Sequence, residues 1–245
     1  MICDIFIRTW HRDSEWLKYC IKSIKKYGSG FRDIVVVYPE GEDCCSLYSD
    51  TSFSIKEICA AGYIDQMVSK FNCYEYCKPG VTHILFLDSD CCFTQHFTPE
   101  SYMQDGKPFI YMTPYKYLCK EGQLWKKLTE DALKFNVEYE FMRQLPIMYT
   151  IDAIKDFKQW FFDIKGITIE QFLVDISINM YSDTNKACFS EFNAIGSYLY
   201  YIRQKNDHFF ADTTQVSLRP KLCAQKWSWG GLNDEIKNEL EEYTK

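Results

Sequence analysis

Asp88 and Asp90 are the residues of this sequence best suited to chemistry. They stand one residue apart, with Ser89 between them, near the end of the stretch His83–Phe93, HILFLDSDCCF. Two carboxylates this close repel one another unless a cation lies between them. Mg²⁺ and Mn²⁺ sites commonly join one or two carboxylates to the phosphates of a substrate, so the pair is expected to hold such an ion. A plain turn after a strand fits the same residues, because Asp and Ser also favour turns.

Other side chains add to this. Glu191 sits in a polar insertion, F-S-E-F-N, between Phe189 and Phe192. A carboxylate beside apolar surface can have a raised pKa and serve as a general base. Ser190 as a helix N-cap, with Glu191 in the first turn, explains the same residues structurally. Arg8 and Thr9 lie just past the first expected strand, on the edge that also carries Asp88 if the strands are parallel. A simple ion pair of Arg8 with an acid such as Asp33 competes with a binding role. Gln66 and Lys70 are four apart and share one helix face. Lys70 could reach a phosphate and Gln66 a base or sugar hydroxyl, or the face is only solvated. Trp227–Gly231, WSWGG, joins Trp227 and Trp229 to a glycine hinge. That composition suits a loop closing over a sugar or base to exclude water, and also suits surface packing. Arg143, in YEFMRQLP, stands where an acceptor could lie.

The elements that must position these residues follow from pattern. Cys3–Thr9 reads as a short strand. Asp13 or Ser14 can cap a helix running to Tyr27, where Gly28 stops it. Trp16, Leu17, Cys20, Ile21 and Ile24 give that helix a buried face. Ile34–Val37 is a second strand, and Phe53–Ile58 a third. Tyr63–Cys77 reads as an amphipathic helix with Ile64, Met67, Val68 and Phe71 inward, ended by Pro79-Gly80. The apolar run Ile84–Leu87 then marks a strand buried on both faces. This alternation predicts a doubly wound α/β sheet, whose ligands sit at the carboxyl ends of the strands. Pro108–Thr113 is a further expected strand. Beyond it, Gly122–Asn136, Ile151–Asp163, Ile169–Met180 and Glu191–Arg203 read as helices. Strand-like pieces return at His208–Ala211 and Leu222–Trp227, and Asp234–Tyr243 is a polar closing helix. One unit over 1–245 is expected, with a nucleotide-binding half to about residue 115 and an acceptor-facing half from about 116.

Length and composition are compatible with this. The chain has 245 residues, 47% hydrophobic and 25% charged, an ordinary globular balance. A net charge of −6 argues against a broad basic face for nucleic acid, although Lys116–Lys127 forms a local basic patch. Twelve cysteines contain no C-x-x-C and no Cys/His cluster with zinc spacing. Free thiols in a reducing cytoplasm are therefore expected, or in the host cytoplasm if the source is viral. No signal peptide or transmembrane segment is expected, because the start lacks a basic-then-apolar pattern and the longest apolar run, Phe192–Ile202, is too short to span a bilayer.

With these pieces in order, the sequence resembles the GT-A fold of nucleotide-sugar glycosyltransferases. Four stretches, FIRTWHRDSEWLKYCIKSI, GYIDQMVSKFN, ILFLDSDCCFTQHFTPE and FSEFNAIGSYL, together look like small bacterial and viral glycosyltransferase-like domains, and WSWGG fits the same pattern. The resemblance implies a Rossmann-like mixed sheet flanked by helices, with a helical acceptor-side region. It implies a Mn²⁺ or Mg²⁺ ion bridging Asp88 and Asp90 to the diphosphate of a UDP- or GDP-sugar. Asp90 is then the direct ligand, and Asp88 binds ribose or reaches the metal through water. Arg8, Thr9, Gln66, Lys70, Ser89 and Trp229 are expected around the nucleotide sugar. Glu191 faces the sugar and acceptor as the base of an inverting transfer, and His208 is a candidate third metal ligand, although a lone His is more often structural. The acceptor is a glycan, a small molecule, a protein or a modified nucleic-acid base, and the chain is a monomer or weak homodimer. Two rivals remain. A haloacid-dehalogenase-like phosphohydrolase would use Asp88 as nucleophile. A non-catalytic module would bind the nucleotide sugar without turnover.

Overall fold

The computed structural model describes residues 1–42, 51–58, 62–180 and 188–245, without the side chains of 178–180 and 229. The adjacent pair Cys44-Cys45 lies outside the described residues.

The molecule is α/β with mixed sheets. Its main sheet is built from β1 (Cys3–Arg8), β2 (Ile34–Pro39), β3 (Thr51–Ile55), β4 (His83–Asp88) and an edge strand at Ile147–Thr150, in spatial order β3-β2-β1-β4-edge. The first four are parallel and the edge strand is antiparallel to β4. The helices α1 (Ser14–Tyr27) and α2 (Gly62–Phe71) cover opposite faces. The pleat explains why. Ile5, Ile7, Val36, Leu85 and Leu87 point to the α1 side and meet Leu17, Cys20, Ile21 and Ile24. Phe6, Val35, Val37, Ile84 and Phe86 point to the other side and meet Ile64, Met67, Val68 and Phe71. Each such side chain, taken fully out of water, contributes about 1.5–3 kcal/mol. The chain winds outward from β1 to β3 and returns to β4, so the order reverses between β1 and β4. That reversal opens a crevice at their carboxyl ends.

Smaller elements complete the frame. After β4 come β5 (Cys91–Phe93), β6 (Met103–Gln104), β7 (Lys107–Pro114), α3 (Lys126–Leu133), β8 (Tyr139–Glu140), the edge strand as β9, α4 (Ile151–Lys165), α5 (Ile169–Met180) and α6 (Glu191–Ser197). The last run is β10 (Phe209–Asp212), β11 (Cys223–Gln225) and α7 (Asp234–Thr244). β10 pairs with β7, and β11 pairs antiparallel with β5. The β5–β11 ribbon sets Gln225 opposite Cys91, directly after the acid pair. α7 is anchored on α1 through Leu240, Trp16 and Tyr19.

Several boundaries differ from the sequence expectation. The helix expected over Tyr63–Cys77 ends at Phe71 and passes into a tight turn at Cys73–Glu75. The one expected over Gly122–Asn136 is regular only as α3, ended by Lys134 in the left-handed conformation. Glu191–Arg203 begins as α6 and widens into a π-helical stretch, Tyr198–Arg203. β9 was not expected at all: four residues placed directly before a helix show no period to read. No disulfide joins the described cysteines. No helix among the described residues is long and apolar enough to cross a membrane.

α6 carries Glu191 and packs tightly. A Cβ on Gly196 would lie 2.5 Å from Cβ and Cγ of Phe141. Gly→Ala within a helix ordinarily gains up to about 1 kcal/mol. Here overpacking is expected to win, so Gly196→Ala should lower stability by about 1–3 kcal/mol in urea unfolding. A net gain would show that Phe141 yields freely.

Candidate active site

The crevice between β1 and β4 opens into a cavity of about 790 Å³. Each wall comes from a strand end or the helix that follows it. β1 delivers Arg8 and Thr9, and Arg8 stands beside Asp88 in the sheet register. Trp10, His11 and Asp13 follow at the start of α1. α2 contributes Tyr63 and Gln66, β4 and its turn contribute Asp88, Ser89 and Asp90, and β11 with the segment after it contributes Gln225, Trp227 and Ser228. Five carboxylates, those of Asp13, Glu42, Glu57, Asp88 and Asp90, line the cavity against the single guanidinium of Arg8 among the described residues. A second cavity of about 360 Å³, between β7 and residues 219–223, holds none of the expected site residues.

The two aspartates are held differently. Asp88 is the more open, and its Oδ1 accepts from Gln66 Nε2 at 3.2 Å and from Lys70 Nζ at 3.1 Å. Asp90 is buried and accepts from Gln225 Nε2 at 3.3 Å and from the Ser228 backbone N–H at 3.0 Å. Burial first, and the neighbouring charge of Asp88 second, raise the Asp90 pKa to about 6. Asp13 is the expected cap residue of α1, yet its side chain caps nothing. Its Oδ2 instead accepts from Ser89 Oγ at 3.1 Å and Ser228 Oγ at 3.2 Å. Burial raises its pKa too, against these hydrogen bonds.

No protein-family profile and no curated protein sequence matches the chain.

The structure brings Arg8, Thr9, Gln66, Asp88, Ser89 and Asp90 together on this one cavity. Arg8 does not pair with Asp33. Its Nη2 lies 3.0 Å from Glu57 Oε1 and its Nε donates to Ser69 Oγ at 3.2 Å. Thr9 Oγ1 is buried and has no hydrogen-bond partner among the described residues. Lys70 is buried just behind the cavity wall, with Nζ 2.8 Å from Glu191 Oε1 as well as 3.1 Å from Asp88. Burial pulls its pKa down, but the charges of Asp88 and Glu191 outweigh that and hold the ammonium above its ordinary value. Ser190 does cap α6, accepting from Asn193 N at 3.4 Å, with Glu191 in the first turn. Glu191 is not among the residues lining the cavity; it faces Lys70. The Trp229 side chain lies outside the described residues, whereas Trp227 is exposed at the cavity mouth.

His208 is not brought to the acid pair. Its Nε2 accepts from Thr150 N at 3.5 Å and its Nδ1 contacts Asp207 Oδ1 at 3.0 Å. Thr150 pairs with His83, the first residue of β4. That end of the strand is about 16 Å from Asp88, five residues on. The expected third ligand is therefore a structural histidine, buried against the opposite end of the sheet.

Asp13, Gln225 and Ser228 were not expected at the site. Asp13 carried a signal as a helix cap and Ser228 as part of the WSWGG loop; Gln225 and Ser228 reach Asp90 through β5–β11 pairing over more than 130 residues of sequence.

Asp90 gives a measurable pH dependence. Its folded pKa of about 6 exceeds the ordinary 3.8, so the fold binds this proton more tightly than the unfolded chain does. Stability from this group is full below about pH 4 and is lost as pH rises through 6. A shift of this size corresponds to about 2–3 kcal/mol. Urea unfolding should show Asp90→Asn gaining on the wild type by that order between pH 4 and 7 in chelator. A pH-independent difference would show that Asp90 is solvated.

Proposed function

We propose that this chain is a GT-A-type, metal-dependent glycosyltransferase that moves a sugar from a nucleotide-diphosphate sugar to an acceptor hydroxyl. The observation that carries the reading is the charge of the cavity: five carboxylates and one guanidinium line it, at the switch point of a doubly wound sheet. Such a wall repels a diphosphate unless a cation stands between them. The sequence resemblance to nucleotide-sugar glycosyltransferases points to the same ligand.

The donor set fits a hard divalent ion. Among the described residues no group of three or more His, Cys, Asp or Glu side chains is placed to cage a metal. Asp88 and Asp90 instead offer two carboxylates beside an open cavity, the arrangement in which substrate phosphates and water complete the coordination. Bound there, Mn²⁺ or Mg²⁺ would neutralise charge on the departing nucleoside diphosphate.

In the transfer, the bond between the anomeric carbon and the phosphate oxygen breaks, and a bond from the acceptor oxygen forms. The nucleoside diphosphate leaves with the bonding electrons, and the acceptor's proton passes to a carboxylate of the cavity wall or to the departing diphosphate. The chain's residues supply place and order for this. Gln66 and Lys70 fix the direction of Asp88, and Gln225 and the Ser228 N–H fix Asp90. Thr9, whose hydroxyl has no partner among the described residues, and Arg8 form the wall where the nucleoside end of a donor would lie. The exposed rings of Trp10 and Trp227 flank the mouth, where a sugar or base can stack.

Thermal unfolding with Mn²⁺ and a panel of UDP-, GDP-, CDP- and dTDP-sugars tests this. A donor at about one hundred times its dissociation constant adds about 2.7 kcal/mol, raising Tm by about 5–10 °C for a chain of this size. The same donor should release nucleoside diphosphate only with the ion present. Asp90→Ala should lose both responses. Equal responses in Asp90→Ala and wild type would refute the metal assignment, and a Tm rise without release would mark a binding module.

A further inference from the structure

We propose that Glu191 is a positioning residue that acts through Lys70 on Asp88, and so sets how strongly the acid pair binds its cation. This rests on the cation reading above, and replaces the role of a base for Glu191.

Three elements meet at one buried ammonium. Lys70 comes from α2, Asp88 from the end of β4 and Glu191 from the start of α6. The Lys70 Nζ lies 2.8 Å from Glu191 Oε1, 3.1 Å from Asp88 Oδ1 and 4.7 Å from the centre of the Phe192 ring. Lys70 and Glu191 side chains are 4% and 6% exposed, so water screens this contact little. Asp88 reaches the cavity and Glu191 does not. Glu191 can therefore influence the cavity through the ammonium that both carboxylates share.

The direction of that influence follows from charge. A buried ammonium with Asp88 as its sole anion would cancel the charge that Asp88 offers a cation. Glu191 supplies a second anion, so Lys70 is shared and Asp88 keeps attraction for the ion. Lys70 and Gln66 also donate to the same oxygen of Asp88, Oδ1, which fixes the carboxylate plane. Partners of metal-binding carboxylates of this kind typically change ion affinity about 10–100-fold when removed.

The test is Mn²⁺ binding by the full chain, followed through the electron paramagnetic resonance signal of free Mn²⁺, with no turnover required. Glu191→Gln should raise the dissociation constant about tenfold, and Glu191→Asp should largely restore it. In a Lys70→Met background, Glu191→Gln should move it less than about twofold, because the intermediary is gone. Equal losses in both backgrounds, or no loss in either, would overturn the inference. Should Lys70→Met not fold, as judged by circular dichroism, the two Glu191 variants decide: Glu191→Asp as weak as Glu191→Gln would overturn it. A wild type that binds no Mn²⁺ would refute the cation reading itself, whereas binding indifferent to Glu191 would refute this inference alone.

Discussion

Where β4 ends, two carboxylates one residue apart must coexist, and the arrangement of the surrounding elements answers that constraint. Like charges in a partly buried corner raise one another's cost of ionisation. The fold meets the cost on each acid separately. Asp88 is compensated by a full charge, the buried Lys70 ammonium. Asp90 is compensated by dipoles, the Ser228 N–H and the Gln225 amide, and its pKa stays raised. A charge would have been the stronger partner for Asp90. Two weaker donors leave it with attraction still to be satisfied.

The sheet decides where this corner can be. With α1 and α2 on opposite faces, the strand ends of β1 and β4 diverge into a crevice rather than being covered by one connection. Arg8 and Asp88 are paired in register there, so a guanidinium and a carboxylate face the same space by backbone geometry alone. Glu57 then occupies Arg8, so the guanidinium does not offset the other carboxylates of the cavity. The same geometry separates the ends of β4. His83 and His208 belong to the amino end, and no side-chain movement brings an imidazole from there to Asp88.

The local parts of this design are visible in sequence. Ile84–Leu87 reads as a doubly covered strand, which puts Asp88 at its carboxyl end and Asp90 in the turn that follows. The four-residue spacing of Gln66 and Lys70 places both on the face of α2 that meets Asp88, and they do meet it. Less visible is anything set by pairing at long range. Ser228 reaches Asp90 only because three residues of β11 add to three of β5, elements too short to carry a hydrophobic period. Glu191 illustrates the limit of reading chemistry from residue type. Its apolar neighbours Phe189 and Phe192 suggested an uncompensated acid, but the ammonium that compensates it comes from a helix about 120 residues away.

The two acids thus belong to different frameworks. Asp88 is fixed by α2 and, through Lys70, by α6, both packed into the core cluster that includes Phe71, Phe86 and Phe192. Asp90 is fixed by the segment after β11, which is carried on α1 by the contact of Leu240 with Trp16 and Tyr19. Asp13, at the start of α1, ties the second framework to the turn between the acids through Ser89 and Ser228. The separation of the carboxylates is therefore a property of how these two frameworks pack, not of the three-residue turn alone.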